Sequence, residues 1–304
     1  MPKNQQPHDK FIKKVLSDRN VVKQYIQQFV PKAIVENIDF RTLKSSPTTF
    51  VDEKLKEHIS DIIYECNWKT KKEQPFKIRI SFLFEHKSYI PTHPHLQLLR
   101  YLLAAWESDE KEKKPLTLTI PIILYHGKKK WKYRPFDEYF NIPHPIFKSY
   151  LPHFEYLLTD LSQSSDEEIL KLEMGFLINT FLMLKHSREK EYILNNTTTI
   201  HVNFEEFVKT EKGRSFIRTA WSYLYETNDF NKKELNLYFL KLNNKIKDIA
   251  MSTHDMLIEQ GIEQGMEKII RGIMETQPKL TDEQIAQLTK ESVTFIRKVR
   301  QSMK

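Results

Sequence analysis

The segment that most constrains the fold is KIRISFLFEHKS, residues 77–88. Its β-branched and aromatic residues predict a core strand, in which successive side chains point to opposite faces. One face is apolar as far as Phe84, whereas Glu85 and Lys87 lie on the other face, about 6–7 Å apart along the strand. A strand that ends on a carboxylate and an ammonium group places both charges at the open end of a sheet.

The segments around this strand predict an α/β domain. Residues 60–68 form a second predicted strand, and the polar, proline-containing KTKKEQP between the two strands predicts a hairpin. Apolar residues at steps of three and four predict a helix over 8–30, broken near Ser17 and Asp18, and another over 95–106. A further strand is predicted over 116–127. The order helix, strand, strand, helix, strand indicates a mixed sheet flanked by helices.

Helical spacing dominates the chain after about residue 150. It predicts a mostly helical accessory region over 151–248 and a helical tail over 249–304, after an α/β domain over 1–150. In the tail, MLIEQGIEQGMEKIIRGIM carries an apolar stripe beside Gly261 and Gly265. Small residues let a second helix approach closely. The stretch therefore predicts a homo-oligomer, a dimer in the simplest case, or packing against the chain's own middle region.

A second motif in the tail, EQIAQLTKESVTFIRKV, fits a small helix-turn-helix. Thr281 and Ser292 are suited to cap its two helices, Thr281 in a capping box with Gln284. The motif supplies few side chains suited to base edges, however. Dimerisation or regulation is therefore the preferred interpretation over DNA reading.

The composition narrows the class of function. Lys and Arg number 48 against 40 Asp and Glu, and the resulting net charge of +8 favours a polyanionic partner. With 6 glycines and no glycine-rich phosphate loop, no nucleotide cofactor is expected. The single cysteine excludes an internal disulfide framework and a cysteine-built zinc site. No membrane segment and no secretory leader are recognisable, so the expected location is a reducing cytoplasm.

The predicted hairpin brings Asp61 towards Glu85 and Lys87. Carboxylate oxygens suit Mg²⁺, which takes one or two carboxylates from a protein and keeps several waters. A metal held in this way activates water and stabilises the charge that develops on a phosphodiester, while Lys87 orients the water or neutralises that charge. The pattern alone fits equally well an exposed ion pair, which contributes little to stability.

Longer stretches favour the catalytic interpretation. They are HDKFIKKVLSD (8–18), FVDEKLKEHISDIIYE (50–65), FLFEHKS (82–88), LQLLRYLLAAWE (96–107), IPIILYHGKKKW (120–131) and GIEQGMEKII in the tail. Together they resemble the Rpn family of recombination-promoting nucleases, also called YhgA-like transposases, in the PD-(D/E)xK superfamily. The resemblance implies a restriction-endonuclease-like α/β core. It covers most of the first half and the tail, whereas the middle region matches only in its general helical character.

The resemblance also assigns roles to residues. It implies that Asp61, Glu85 and the backbone carbonyl of His86 bind Mg²⁺, with Ca²⁺ or Mn²⁺ as alternatives. It implies that Lys87 is the catalytic lysine and Gln97 a supporting polar residue. The chain departs from the family pattern at Ser60, which takes the place of the proline in the PD-(D/E)xK motif. That proline has no role as a metal ligand.

The implied activity is that of a Mg-dependent DNA endonuclease in a bacterium, active in recombination, mobile-element movement or defence. The alternative is a non-catalytic DNA-binding protein accessory to transposition. Such a protein usually loses one of its site residues, whereas Asp61, Glu85 and Lys87 are all present here. The enzyme is therefore the preferred interpretation.

Two further groups have a functional and a structural interpretation. Asp9, near the start of the first predicted helix, either completes a metal shell or is a helix-start residue favoured by the helix dipole. The loop over 126–134 interleaves lysines with aromatic residues. Its candidate nucleic-acid contacts are Lys128, Lys129, Lys130 and Trp131. Such residues suit phosphate and base contacts, and they suit a solvated loop equally well.

Overall fold

The computed structural model describes residues 7–46, 62–69 and 79–303, without the side chains of residues 79–86. The chain forms two compact units, Met1–Leu242 and Asn243–Lys304. The helical region as far as residue 242 lies in the same unit as the sheet. The boundaries at residues 150 and 248 stay predictions.

Five strands of the described residues form one mixed sheet in the order β1-β2-β3-β4-β5. They are Ile38–Ser46 (β1), Ile62–Trp68 (β2), Arg79–Lys87 (β3), Leu118–Tyr125 (β4) and Leu157–Asp160 (β5). β1, β2 and β3 pair antiparallel, whereas β4 runs parallel to β3 and β5 runs parallel to β4. The carboxyl ends of β3, β4 and β5 therefore meet at one edge of the sheet.

The predicted pairing of β2 with β3 is confirmed, with Ile62 opposite Phe84 and Asn67 opposite Arg79. β1 and β5 are absent from the sequence prediction. In β1 the register with β2 shifts between Asp39 and Lys44, which breaks the two-residue alternation that marks a strand in sequence. β5 has only four residues, too few to show a period.

The helices of the first half begin with α1 (Pro7–Leu16), α2 (Arg19–Phe29) and the short α3 (Lys32–Val35). The predicted break near residues 17–18 is confirmed, because the Asp18 side chain accepts the Asn20 N–H at 2.9 Å and caps α2.

The next helix, α4 (Pro94–Lys111), extends past the predicted end at residue 106. The charged segment 107–111 therefore belongs to this helix. The buried Asp109 side chain accepts the Thr117 N–H at 2.8 Å, and this bond ties the end of α4 to the segment before β4.

The region after β4 is mostly helical, as predicted. Its helices are Asp166–Leu170 (α5), Gly175–Lys185 (α6), Lys190–Asn195 (α7), Thr197–Ile200 (α8), Phe204–Phe207 (α9), Glu211–Thr227 (α10) and Lys232–Phe239 (α11). The segment 166–186 forms two helices, α5 and α6. A Cβ atom at Gly175 would lie 2.8 Å from the Asn203 side chain, so the chain enters α6 in close contact with the segment before α9.

Helices cover both faces of the sheet. On one face, Leu98 and Tyr101 of α4 pack in a cluster with Ile63, Ile123 and Tyr125. The other face meets α1 and α2. The Tyr64 hydroxyl of β2 donates to the Leu16 carbonyl of α1 at 2.9 Å. The Tyr25 hydroxyl of α2 lies 2.5 Å from Thr159 Oγ1 of β5.

The helical region packs in turn on α1. Phe11 of α1 stacks on Tyr223 of α10 with ring centroids 4.3 Å apart. Tyr223 and Trp221 are both almost fully buried, as is expected of core positions. The first unit is thus a mixed α/β structure in which the helical region holds α1 against the sheet.

The second unit consists of α12 (Asn244–Thr276), α13 (Asp282–Thr289) and α14 (Val293–Ser302). The predicted capping box of Thr281 with Gln284 and the predicted Ser292 cap are confirmed. The core of this unit is formed by Ile270, Met274, Ile285, Ala286, Ile296 and Val299. None of the described helices is long and apolar enough to span a bilayer.

Candidate active site at the carboxyl ends of β3 and β4

The predicted catalytic strand ends beside a parallel neighbour. Glu85 lies opposite Ile123, and Lys87 lies opposite Tyr125. The first residue after β4, His126, donates its backbone N–H to the Lys87 carbonyl at 2.9 Å. The Lys87 side chain is buried, with a relative exposure of 8%. This finding contradicts the interpretation of Lys87 as half of an exposed ion pair.

Gln97 belongs to the α4 side of this edge. Its Nε2 donates to the Tyr101 hydroxyl at 2.7 Å, and Tyr101 packs in the cluster that contains Tyr125. Residues opposite each other on neighbouring parallel strands carry their side chains on one face, so Lys87 shares the α4 face with Tyr125. The structure therefore brings Gln97 and Lys87 to the same side of the sheet.

The start of α1 lies at the same edge. The His8 and His126 rings have centroids 4.7 Å apart, and His8 Nδ1 is 2.8 Å from the Tyr223 hydroxyl. Burial raises the pKa of Tyr223, which keeps its hydroxyl protonated and able to donate to His8. Arg188 Nη1 donates to the His126 carbonyl at 3.4 Å. Histidine, tyrosine and arginine side chains therefore lie close together at the end of β4.

Asp9 follows His8 in α1 and is buried, with a relative exposure of 7%. One of its carboxylate oxygens forms an ion pair of 3.1 Å with Lys13, one helical turn further on. The helix-start interpretation is compatible with this pair. The metal-shell interpretation of Asp9 stays a prediction.

The proposed metal ligands lie largely outside the described part of the structure. Asp61 is outside the described residues, and the side chains of Glu85 and His86 are not described. The register between β2 and β3 is described as far as Ile62 and Phe84, the neighbours of Asp61 and Glu85 in the chain. Within the described part, no three His, Cys, Asp or Glu residues are grouped as metal ligands.

The lysine-rich loop follows β4 at this edge. Lys128, Lys129 and Lys130 are exposed, and the Tyr125 hydroxyl donates to the Lys129 carbonyl at 2.7 Å. The Trp131 N–H donates to an Asp160 carboxylate oxygen at 2.9 Å. These two bonds hold the backbone of the loop between the ends of β4 and β5, at the edge of the sheet where β3 also ends.

The burial of Trp131 does not fit the predicted base-stacking role. Its side chain is only 3% exposed, and its ring meets that of Tyr125 edge to face with centroids 5.1 Å apart. The ring belongs to the buried cluster under α4. Periodicity does not separate a buried aromatic residue in a basic loop from an exposed one.

Sequence reasoning overlooked His126 and Tyr223 as neighbours of the site. His126 was read as part of the basic loop, and Tyr223 as a core residue. A signal for His126 was present, because it directly follows a strand predicted to end in the same sheet as Lys87. No local pattern connects Tyr223 with His8, which is 215 residues away in sequence.

Comparison with known protein families gives a match over most of the chain. The family described as “Putative transposase, YhgA-like” matches residues 6–215, which is more than half of the chain. That range contains every strand of the sheet and the edge at which β3 and β4 end. No solved structure matches the chain.

Several curated proteins are similar to the chain. The recombination-promoting nuclease RpnD of Escherichia coli O157:H7 is 28% identical over 190 residues, or 61% of this chain and 69% of RpnD. The recombination-promoting nuclease RpnA of Escherichia coli K12 is 28% identical over 198 residues, or 61% of each protein.

The inactive recombination-promoting nuclease-like protein RpnE of the same strain is 22% identical over 241 residues. This match covers 74% of this chain and 72% of RpnE. The similar proteins thus include proteins named as nucleases and proteins named as inactive. The chain belongs to the YhgA-like transposase family, together with the Rpn recombination-promoting nucleases.

Proposed function

We propose that this chain is a metal-dependent DNA endonuclease whose active site lies at the carboxyl ends of β3 and β4. The observation that carries the proposal is the buried Lys87 at the end of β3, at the same edge of the sheet from which the loop with the exposed lysines leaves β4. The names of the relatives RpnD and RpnA support the same activity. The order of α1, the hairpin of β2 and β3, α4 and the parallel β4 supports a PD-(D/E)xK core.

The backbone at the end of β3 fits a metal-binding role. The Lys87 carbonyl accepts a hydrogen bond from β4, and carbonyl directions alternate along a strand. The His86 carbonyl therefore points the other way, towards the β2 side of β3. We propose that this carbonyl and the carboxylates of Asp61 and Glu85 bind Mg²⁺, since all three are hard oxygen donors.

The bound metal would activate a water molecule and offset the negative charge that develops on the phosphodiester. Lys87 would orient that water and hold a positive charge near the scissile phosphate. Its buried position limits the number of conformations of its side chain, which favours a fixed orientation. Gln97 would support the α4 side of the site through its bond to Tyr101.

Incubation of the purified chain with supercoiled plasmid tests this function. We expect nicked or linear product with Mg²⁺ and no product with EDTA. Failure to cleave any DNA substrate with Mg²⁺, Mn²⁺ or Ca²⁺, while the chain still binds DNA, would favour the alternative function. That alternative is a non-catalytic DNA-binding protein accessory to transposition, and similarity to the inactive RpnE is the observation that favours it.

Substitution of the three exposed lysines tests the role of the loop. The triple variant Lys128→Ala, Lys129→Ala, Lys130→Ala is expected to bind unrelated DNA sequences more weakly. The slope of log affinity against log salt should fall by about 0.9 per lost phosphate contact, so by about 2–3. Binding in EDTA at several salt concentrations measures this slope. An unchanged slope would remove the loop from the DNA interface.

We also propose that chains associate through α12, although a smaller apolar face is available than the sequence predicts. Ile270 is fully buried within the second unit, and Met266 and Ile273 pack against the same core. Ile258, Ile262 and Ile269 are exposed, and no atom lies within 4 Å of a Cβ atom built at Gly261 or Gly265. Exposed apolar residues with small neighbours suit close helix packing.

Removal of the residues after Ile249 tests this association. We expect the truncated chain to have a smaller oligomeric mass in solution than the full chain, beyond the loss of the deleted residues. The measurement is light scattering after size-exclusion chromatography. An unchanged number of chains per particle would contradict the proposal.

A further inference from the structure

The second unit contains two helices joined by a tight turn. α13 has 8 residues and α14 has 10, and residues 290–292 separate them. Lys290 adopts a left-handed conformation with φ 59°, which ends α13 abruptly. Ser292 then caps α14 by accepting the Phe295 N–H at 3.2 Å. Helix lengths and a turn of this kind are those of a helix-turn-helix.

The shared core sets the orientation of α14. Ile296 and Val299 pack against Ile285 and Ala286 of α13 and against the end of α12. This packing decides which residues of α14 lie on its outer face. Those that are exposed there include Thr294, Arg297, Lys298 and Gln301. Their spacing of three, one and three places these four side chains along one stripe of the helix.

The charge of this stripe indicates its partner. Residues 292–303 contain three Arg or Lys residues and no Asp or Glu. A surface for a second copy of the chain would be apolar at its centre, but the apolar residues Ile296 and Val299 are already buried. A cationic and amide-bearing helix face instead complements the phosphates and base edges of DNA.

The arginines of α14 have two different tasks. Arg300 donates to Asp282 at 2.7 Å and to the Leu280 carbonyl at 3.1 Å, so it holds α14 to the start of α13. Arg297 donates to Glu283 at 3.2 Å and lies 3.6 Å from Asp282, whereas Lys298 lies 3.8 Å from Glu263. The Arg297 and Glu283 side chains are both 61% exposed. An ion pair with this exposure contributes little, so a phosphate can replace the carboxylate.

We propose that α14 is the recognition helix of a DNA-binding module and enters the major groove of duplex DNA. Arg297 and Lys298 bind phosphate or guanine, and Gln301 suits adenine. Thr294 lies one turn earlier on the same stripe. The module is separate from the nuclease site, so it assigns the second unit a role in selecting where the chain binds.

Binding of the full chain to a short fluorescent duplex in EDTA tests this module. EDTA and a Glu85→Ala background keep the readout independent of cleavage. We expect the Arg297→Ala, Lys298→Ala variant to bind about tenfold more weakly or worse, with a salt slope lower by about 2. The matched control is Lys268→Ala, Lys279→Ala, which removes the same charge from exposed positions of the same unit outside α14. The control should stay within about twofold of the parent, because distant charges are screened.

A further substitution, expected to strengthen DNA binding, tests the same proposal in the opposite direction. Glu283→Gln removes one of the two carboxylates that pair with Arg297, the other being Asp282, so we expect it to tighten binding to the duplex several-fold. Parent-like binding by the Arg297, Lys298 variant would overturn the proposal. The proposal would also be overturned if the control lost as much DNA affinity as the Arg297, Lys298 variant. A changed oligomeric mass in the Arg297, Lys298 variant alone would overturn it too. Circular dichroism establishes that each variant is folded, and Arg297→Lys, which keeps the charge, should retain the parent's salt slope.

Discussion

A Glu85→Ala variant is expected to cleave supercoiled plasmid at least about 10²-fold more slowly than the parent chain. The reason is the proposed role of the Glu85 carboxylate as a metal ligand at the end of β3. Asp61→Ala should have the same effect, because the two carboxylates are proposed to hold one ion. The measurement is the initial rate of nicking at saturating Mg²⁺. The matched control is Glu107→Ala, which removes an exposed carboxylate from α4.

Metal binding separates the roles within this site. Glu85→Ala and Asp61→Ala should lose binding of Mn²⁺, measured by calorimetry without DNA. Lys87→Ala should keep that binding and still lose about 10²-fold in rate, because its ammonium group acts on water and phosphate. Plasmid cleavage at the parental rate by either carboxylate variant would show that the metal site is misplaced.

A Trp131→Ala variant is expected to lower the free energy of unfolding by about 3–5 kcal/mol, the usual cost of removing a buried tryptophan side chain. Trp131 lies in the cluster with Tyr125 and Tyr156 under α4, so its removal opens a cavity beside the proposed active site. The measurement is chemical unfolding followed by circular dichroism. The neighbouring Lys132 is exposed, and Lys132→Ala should change the stability by about 0.5 kcal/mol or less.

This experiment also decides between the two interpretations of Trp131. A base-stacking tryptophan would lose DNA affinity on truncation and leave the stability unchanged. Truncation of a core tryptophan instead lowers the free energy of unfolding of the protein. Parental stability together with weak DNA binding would contradict the packing role that the burial of Trp131 indicates.

Local patterns predicted those parts of the fold that residue type and spacing mark in the sequence. The helices α1 and α2 with the break at Asp18 show helical spacing, and β2, β3 and β4 are runs rich in β-branched and aromatic residues. The caps at Thr281 and Ser292 were also predictable, because a capping box depends on residues three positions apart.

Other parts of the fold have no local signal. β1 becomes a strand by pairing with β2 across a register shift, and β5 by pairing with β4 at the far edge of the sheet. α4 continues past its predicted end because Asp109 bonds to Thr117. These outcomes depend on partners that are distant in sequence or outside any repeating pattern.

The same division applies to the function of the protein. The family and the position of Lys87 at the end of a core strand were predictable from the sequence, because both depend on short runs of residues. Tertiary packing decided which residues surround that strand end: His126 through the parallel pairing of β3 with β4, and His8 through Tyr223. It also decided that Trp131 is buried and that Arg297 and Lys298 are exposed. Burial depends on packing in three dimensions, which no local pattern of residues specifies.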